Sequence, residues 1–165
     1  MIIHRYFKRS GCMKIIKEKA ELYKQSREEV NRKIEVWENE IFDLVENKLQ
    51  EIVSEIGSIE GLKVTVGESP MARSVRLTFG VGPYGKVDDE AFIKRGGSLL
   101  FIPKLNGGIL VSTSSPSIES DERILVEEEK KPLENYNDPN KITEDKVEKH
   151  VEEFFDDLIN WWDTL

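Results

Sequence analysis

The chain has 165 residues, enough for one well-packed core and short for two. Apolar residues make up 38% of it and charged residues 34%, a balance that excludes both a disordered polyelectrolyte and a membrane-embedded bundle. The net charge of -8 is unevenly placed: residues 1–60 hold 11 basic and 12 acidic groups, 61–115 hold 7 and 4, and 116–165 hold 6 and 16. The last third therefore repels nucleic acid and acidic lipid, and only the middle third attracts a phosphate.

No apolar run approaches the roughly 18–20 residues that span a bilayer, and residues 1–12 lack the apolar core and cleavage site of a signal peptide. The expectation is a cytoplasmic protein of prokaryotic type with no membrane association. Cys12 is the single cysteine, so an intramolecular disulfide and a four-cysteine zinc site are excluded. Residues 1–12 are aromatic and basic and end in a Ser10-Gly11 break. They read as a non-native or flexible extension, with Met13 as an alternative start and residues 13–165 as one α+β domain.

From Met13 to Ile56 there is neither Pro nor Gly, and Ile16, Ala20, Tyr23, Val30, Ile34, Trp37, Ile41 and Leu44 recur at alternating spacings of three and four. Only Arg27 interrupts that seam. The pattern predicts one long helix with coiled-coil spacing. At about 1.5 Å per residue it spans roughly 66 Å, whereas a compact domain of this length is roughly 40 Å across. The second half, with Phe42, Val45, Leu49, Ile52 and Val53 added to the seam, has the broad apolar face of a core helix. The first half has a thin stripe and must either fold back near Gln25-Ser26 or project. Gly57 and Gly61 end the helix.

From Leu62 the period changes to two. Leu62, Val64 and Val66 alternate with polar residues, as do Val75, Leu77 and Phe79, with a turn at Gly67–Pro70 between them. Ser98–Pro103 and Ile109–Thr113 flank Asn106-Gly107-Gly108, a strong hairpin signal. Leu99 to Ile102 is apolar on both faces, as in a strand covered on two sides or docked by a partner. Arg123–Glu129 adds a fifth candidate strand. Thr143 then caps a helix with Glu144 and Asp145 in its first turn. Val147, Val151, Phe154, Phe155, Leu158, Ile159 and Trp162 make one apolar face along it. The predicted fold is thus α+β: a long N-terminal helix, an antiparallel meander of four or five strands, and a C-terminal helix, both helices packed on one sheet face.

No catalytic, cofactor or metal constellation stands out. Gly80–Lys86 fits the spacing of a phosphate-binding loop, but Val87 replaces the hydroxyl residue that holds magnesium, Asp88, Asp89 and Glu90 follow, and no parallel βαβ frame surrounds it. Asp156-Asp157 lacks companions at ligand spacing and reads as solvated surface, and His150, beside Val151 with no Cys, Ser or second His near it, does not read as catalytic. Two binding readings remain. The first is protein association, homo-oligomeric among the options, through Ile16, Ala20 and Tyr23 of the projecting helix, with Trp161 as a further contact. The second is a weaker anion or nucleic-acid surface from Arg73, Arg76, Lys86, Lys94 and Arg95, residues whose plainer reading is pairing with the acidic last third.

Overall fold

The computed structural model describes residues 3–57, 59 and 61–165, with side chains from Gly11 onward. The side chains of residues 1–10, on which the reading of an N-terminal extension rests, lie outside the described residues. Helix α1 (Ile3–Val36) runs into a wide π-helical turn (Trp37–Ile41) and then α2 (Phe42–Ile56). Seven strands follow: β1 (Leu62–Gly67), β2 (Ser74–Phe79), β3 (Val81–Val87), β4 (Glu90–Pro103), β5 (Ile109–Glu119), β6 (Ile124–Val126) and β7 (Lys130–Tyr136). A short 3-10 turn (Pro139–Lys141) leads to α3 (Glu144–Thr164). The α+β expectation holds, with seven strands rather than four or five.

The sheet is built on its two longest strands, β4 and β5, which pair antiparallel from Ile93–Glu119 to Pro103–Ile109. The C-terminal half of β4 pairs with β2, which carries β1, while its N-terminal half pairs with β3. Strand β5 holds β7 beside its first half and β6 beside its end. Two stretches without the alternation of a strand, the Gly-rich Gly80–Lys86 and the first part of the turn-rich Lys130–Ile142, thus contribute strands β3 and β7. The β3–β4 hairpin turns at Asp88 and Asp89, both with positive φ. Because β3 is hydrogen-bonded along β4, the Gly80–Lys86 backbone is extended strand rather than an amide-lined cradle for phosphate.

Leu77 and Leu99, Val75 and Phe101, and Phe101 and Val111 are direct cross-strand partners, so their side chains share one face. On that face α2 packs over β1 and β2, and α3 over β4 and β5. The core joins Phe42, Val45 and Leu49 of α2 to Val147, Val151 and Phe154 of α3 across these sheet residues. Gly96 and Gly97 both have positive φ in the middle of β4, and they reverse its alternation. Leu99 and Phe101 point to the core, yet Lys94 also faces α3, where it lines a cleft with Leu158 and Trp162. At Gly97 a Cβ would sit 3.2 Å from Pro116 Cγ and 3.3 Å from Leu158 Cδ2, so the glycine also allows α3 to approach.

The π-helical turn resets the phase of the long helix. Half-buried Val30 and Ile34 lead to buried Trp37, and the next fully covered residues are Phe42, Val45 and Leu49, between 0 and 1% exposed. The step from Trp37 to Phe42 is five residues, and Phe42 N–H bonds to the Trp37 carbonyl. The even repeat expected through Ile41 and Leu44 is thus displaced by one residue: Ile41 stays buried, but Leu44 is only partly covered. Arg73, just before β2, secures the turn. Its Nη2 donates to the Glu38 carbonyl (2.9 Å), its Nε to Glu38 Oε2 (2.8 Å) and its backbone N–H to Glu38 Oε1 (2.6 Å). Trp37 Nε1 donates in return to the Arg73 carbonyl (2.7 Å), and the guanidinium lies 3.7 Å over the Phe42 ring.

The last anchors of α1 lie one and two turns earlier. The β4–β5 turn presents Gly107 at φ +79, where an added Cβ would fall 2.6 Å from Lys33 Cβ and 3.0 Å from the Val30 carbonyl oxygen. Arg32 Nη2 donates to Asp138 Oδ2 (2.7 Å) and pairs with Glu29. Replacing Gly107 by Ala combines left-handed backbone strain with a clash against the α1 backbone, so it should destabilise the protein by about 2–4 kcal/mol in urea unfolding. A change below about 0.5 kcal/mol would mean that the turn does not bear on α1.

The backbone amide of Asn140, aided by Arg32 against a small burial penalty, holds the Asp138 carboxyl below its ordinary value. A depressed carboxylate stabilises the fold above its unfolded pKa near 4 and loses that contribution as pH falls through the folded value. Below about pH 4 the wild type should therefore lose stability more steeply than Asp138→Asn, read by unfolding midpoint against pH. Parallel curves would remove Asp138 from the acid limb.

Candidate interaction surface

The first half of the long helix is exposed along its whole described length. Every residue from Gly11 to Glu29 is exposed, and Met13, Ile15, Ile16, Leu22 and Tyr23 show between 53 and 67% of their area. Helical spacing sets Met13, Ile16, Ala20 and Tyr23 on one line that continues through Arg27 to Val30, where contact with the body begins. The sequence-predicted residues Ile16, Ala20 and Tyr23 are thus brought together on one strip of α1. Cys12 is a free, exposed thiol on the same segment.

Trp161 lies elsewhere, at the end of α3, so it does not extend the α1 strip. It is half-buried and borders a small cleft of about 240 Å³ with Thr113, Lys131 and Asp157. Trp162, placed by phase on the core face, is instead 48% exposed. Its ring stacks on Tyr84 of β3, with centroids 6.4 Å apart, and Lys94 Nζ lies 5.4 Å from its centroid and 5.5 Å from that of Phe79. Trp162, Lys94 and Phe79 edge a second cleft of about 420 Å³, walled also by Ile159 and Phe155, with Lys94 as the one charged side chain among the described residues that line it. The cleft is not legible in the sequence because Gly82, Pro83 and Gly85 mask β3 as a strand. Its one readable trace is the Ile159–Trp162 pair, three apart on α3.

The five basic residues do not gather. Arg73 is bound to Glu38, and Arg95 to Glu119 at 2.6 Å. Lys94 sits between aromatic rings, Lys86 is exposed level with Ala91 of β4, and Arg76 is exposed level with Leu100. Nine residues of strand, roughly 30 Å along β4, separate those last two levels. Arg95, whose partner Glu119 lies in the acidic last third, is the one of the five with the intramolecular match that the charge distribution suggested.

The remaining polar groups are structural. His150 is buried against Phe101, with Nε2 2.9 Å from the Tyr136 hydroxyl and Nδ1 2.9 Å from Glu153 Oε2. The same hydroxyl donates to Glu134, and burial followed by that carboxylate raises the Tyr136 pKa above its ordinary value. Asp157 is not free surface: it accepts from Thr113 Oγ1 (2.8 Å) and Lys131 Nζ (2.7 Å), fastening α3 to β5 and β7. Among the described residues no cluster of His, Cys, Asp and Glu has the geometry to hold a metal ion. No described helix is long and apolar enough to cross a membrane. Comparison with known family models, with curated proteins and with solved structures finds no match for this chain.

Since Ile16 and Tyr23 are 57 and 67% exposed, Ile16→Glu with Tyr23→Glu should change unfolding free energy by no more than about 0.5 kcal/mol, glutamate being a good helix former. A loss above about 2 kcal/mol in chemical denaturation would place both side chains in the core of the folded chain.

Proposed function

We propose that this protein is a non-enzymatic binding module that associates with another protein through the exposed half of α1. The carrying observation is the run of exposure from Gly11 to Glu29 on a helix where Met13, Ile16, Ala20, Tyr23 and Val30 follow a three-four spacing interrupted at Arg27. Isolated helices gain little from propensity alone, and most helices in proteins are stabilised by burying an apolar stripe. Here the stripe continues from a well-packed core helix into solvent, with Ile16 57% and Tyr23 67% exposed. A second helix laid along it would cover Met13, Ile16, Ala20 and Tyr23 by side-chain interdigitation. Anchoring at Trp37, Arg73 and Gly107 makes the body a rigid base for the presented helix.

The test is the size of the protein in native extract. The wild type should migrate well above its 19.0 kDa chain mass, and Ile16→Glu/Tyr23→Glu should return it toward that mass. Wild-type protein running as a lone 19.0 kDa species would contradict the proposal.

A further inference from the structure

The charges beside the α1 strip say what kind of helix fits it. With Met13, Ala20 and Arg27 as one set of seam positions and Ile16, Tyr23 and Val30 as the other, the flanks are Lys17, Lys24 and Asn31 on one side and Cys12, Lys19, Ser26 and Lys33 on the other. No acid occupies either flank. Glu18, Glu21, Glu28 and Glu29 all lie away from the seam. Among the described residues, Lys17, Lys19 and Lys24 make no ion pair, whereas Lys33 is held near Glu29 and the Gly107 turn. Flanking charges set partner choice in helix pairs of this kind.

A second copy of α1 fits poorly in either direction. Parallel pairing puts Lys19 opposite Lys24 of the copy and Arg27 against its equivalent inside the seam. Antiparallel pairing sets like flank against like flank, lysine on lysine again. The chain's own acidic helix is no substitute, because Val147, Val151 and Phe154 of α3 are buried in the core. An acidic lipid surface matches less well: helices that lie on membranes carry Lys and Arg on the polar face, and here that face holds Glu18, Glu21, Glu28 and Glu29.

We infer that α1 takes a different protein as its partner, an amphipathic helix with acidic residues on both flanks and an Asp or Glu to meet Arg27. This rests on the association reading above and narrows it to a heterotypic, charge-matched contact. Attraction between exposed flanks is screened by salt, so binding should weaken as ionic strength rises toward about 1 M.

The probes are two synthetic four-heptad peptides with leucine seams and one Asp opposite Arg27, differing only in Glu or Lys at every flank position. They are joined by phosphatidylserine–phosphatidylcholine vesicles and by sedimentation of the full chain alone. The full chain should bind the Glu-flanked peptide at least about tenfold more tightly than the Lys-flanked one at low salt. Lys17→Glu/Lys19→Glu/Lys24→Glu, all at exposed positions, should exchange the two preferences with the unfolding midpoint unchanged. Equal affinity for the peptides would overturn the inference. So would self-association abolished by Ile16→Glu/Tyr23→Glu, but that result would leave the association reading intact. Binding to vesicles with neither peptide bound would overturn both in favour of a lipid surface. A lone chain that binds none of the probes would overturn the inference and leave the association reading to the size of the protein in native extract.

Discussion

Arg73 and the wide turn at Trp37–Ile41 hold each other through a closed set of bonds, and the rest of the molecule is arranged around that contact. A π-helical turn releases a carbonyl from the regular helical ladder, and a released carbonyl near the core needs a donor. Arg73 supplies it at Glu38, while Trp37 returns a bond to the Arg73 carbonyl. The extra residue rotates everything after it by roughly one helical position, which turns Phe42, Val45 and Leu49 onto β1 and β2 together. Without the skip, the seam through Ile41 and Leu44 would face the sheet and leave Phe42 and Val45 to its side.

The same contact determines where α1 leaves the body. From the π-helical turn back to Val30 the helix meets the 3-10 turn and the β4–β5 turn, and Gly107 gives it room to pass. From Gly11 to Glu29 every side chain of the helix is exposed, so its apolar strip is presented rather than buried. Opposite charges at Arg32 and Asp138 mark the edge of the body, partly exposed and thus more a positional tie than a large stabiliser.

Much of this architecture was readable from periodicity. The long helix, β1, β2, the second half of β4, the first half of β5 and α3 announce themselves by spacing, whereas Ser112–Ser117, so rich in serine that it reads as a loop, is the second half of β5 and pairs with β4. The π-helical skip does not, because apolar residues stand at both 41 and 42 and at both 44 and 45, and either choice sustains a helical face. Strand β3 was hidden by Gly82, Pro83 and Gly85, which have low strand propensity and are tolerated there beside a register shift. Strand β7 carries Pro132 beside a second shift and an outward run of charge. The β4 segment before Gly96 was hidden for another reason: alternation restarts in opposite phase across the paired glycines. At the candidate surface, Ile16, Ala20 and Tyr23 were legible as a strip, but their isolation from the body was not. Arg73 could not be distinguished from a free cation by composition, since its partner lies thirty-five residues earlier, on a turn that no local pattern marks.

A rigid α+β body and a presented helix are therefore two parts of one continuous element, divided near Val30 by what lies beneath the helix. Native-state hydrogen exchange reads that division residue by residue, since amides in packed helix open only with the fold while unsupported helix frays far more often. In the isolated chain, protection should be high from Lys33 through Leu49 and fall sharply N-terminal to Val30. Uniform protection from Lys14 to Leu49 would contradict the account, since the first half of the helix would then already be packed.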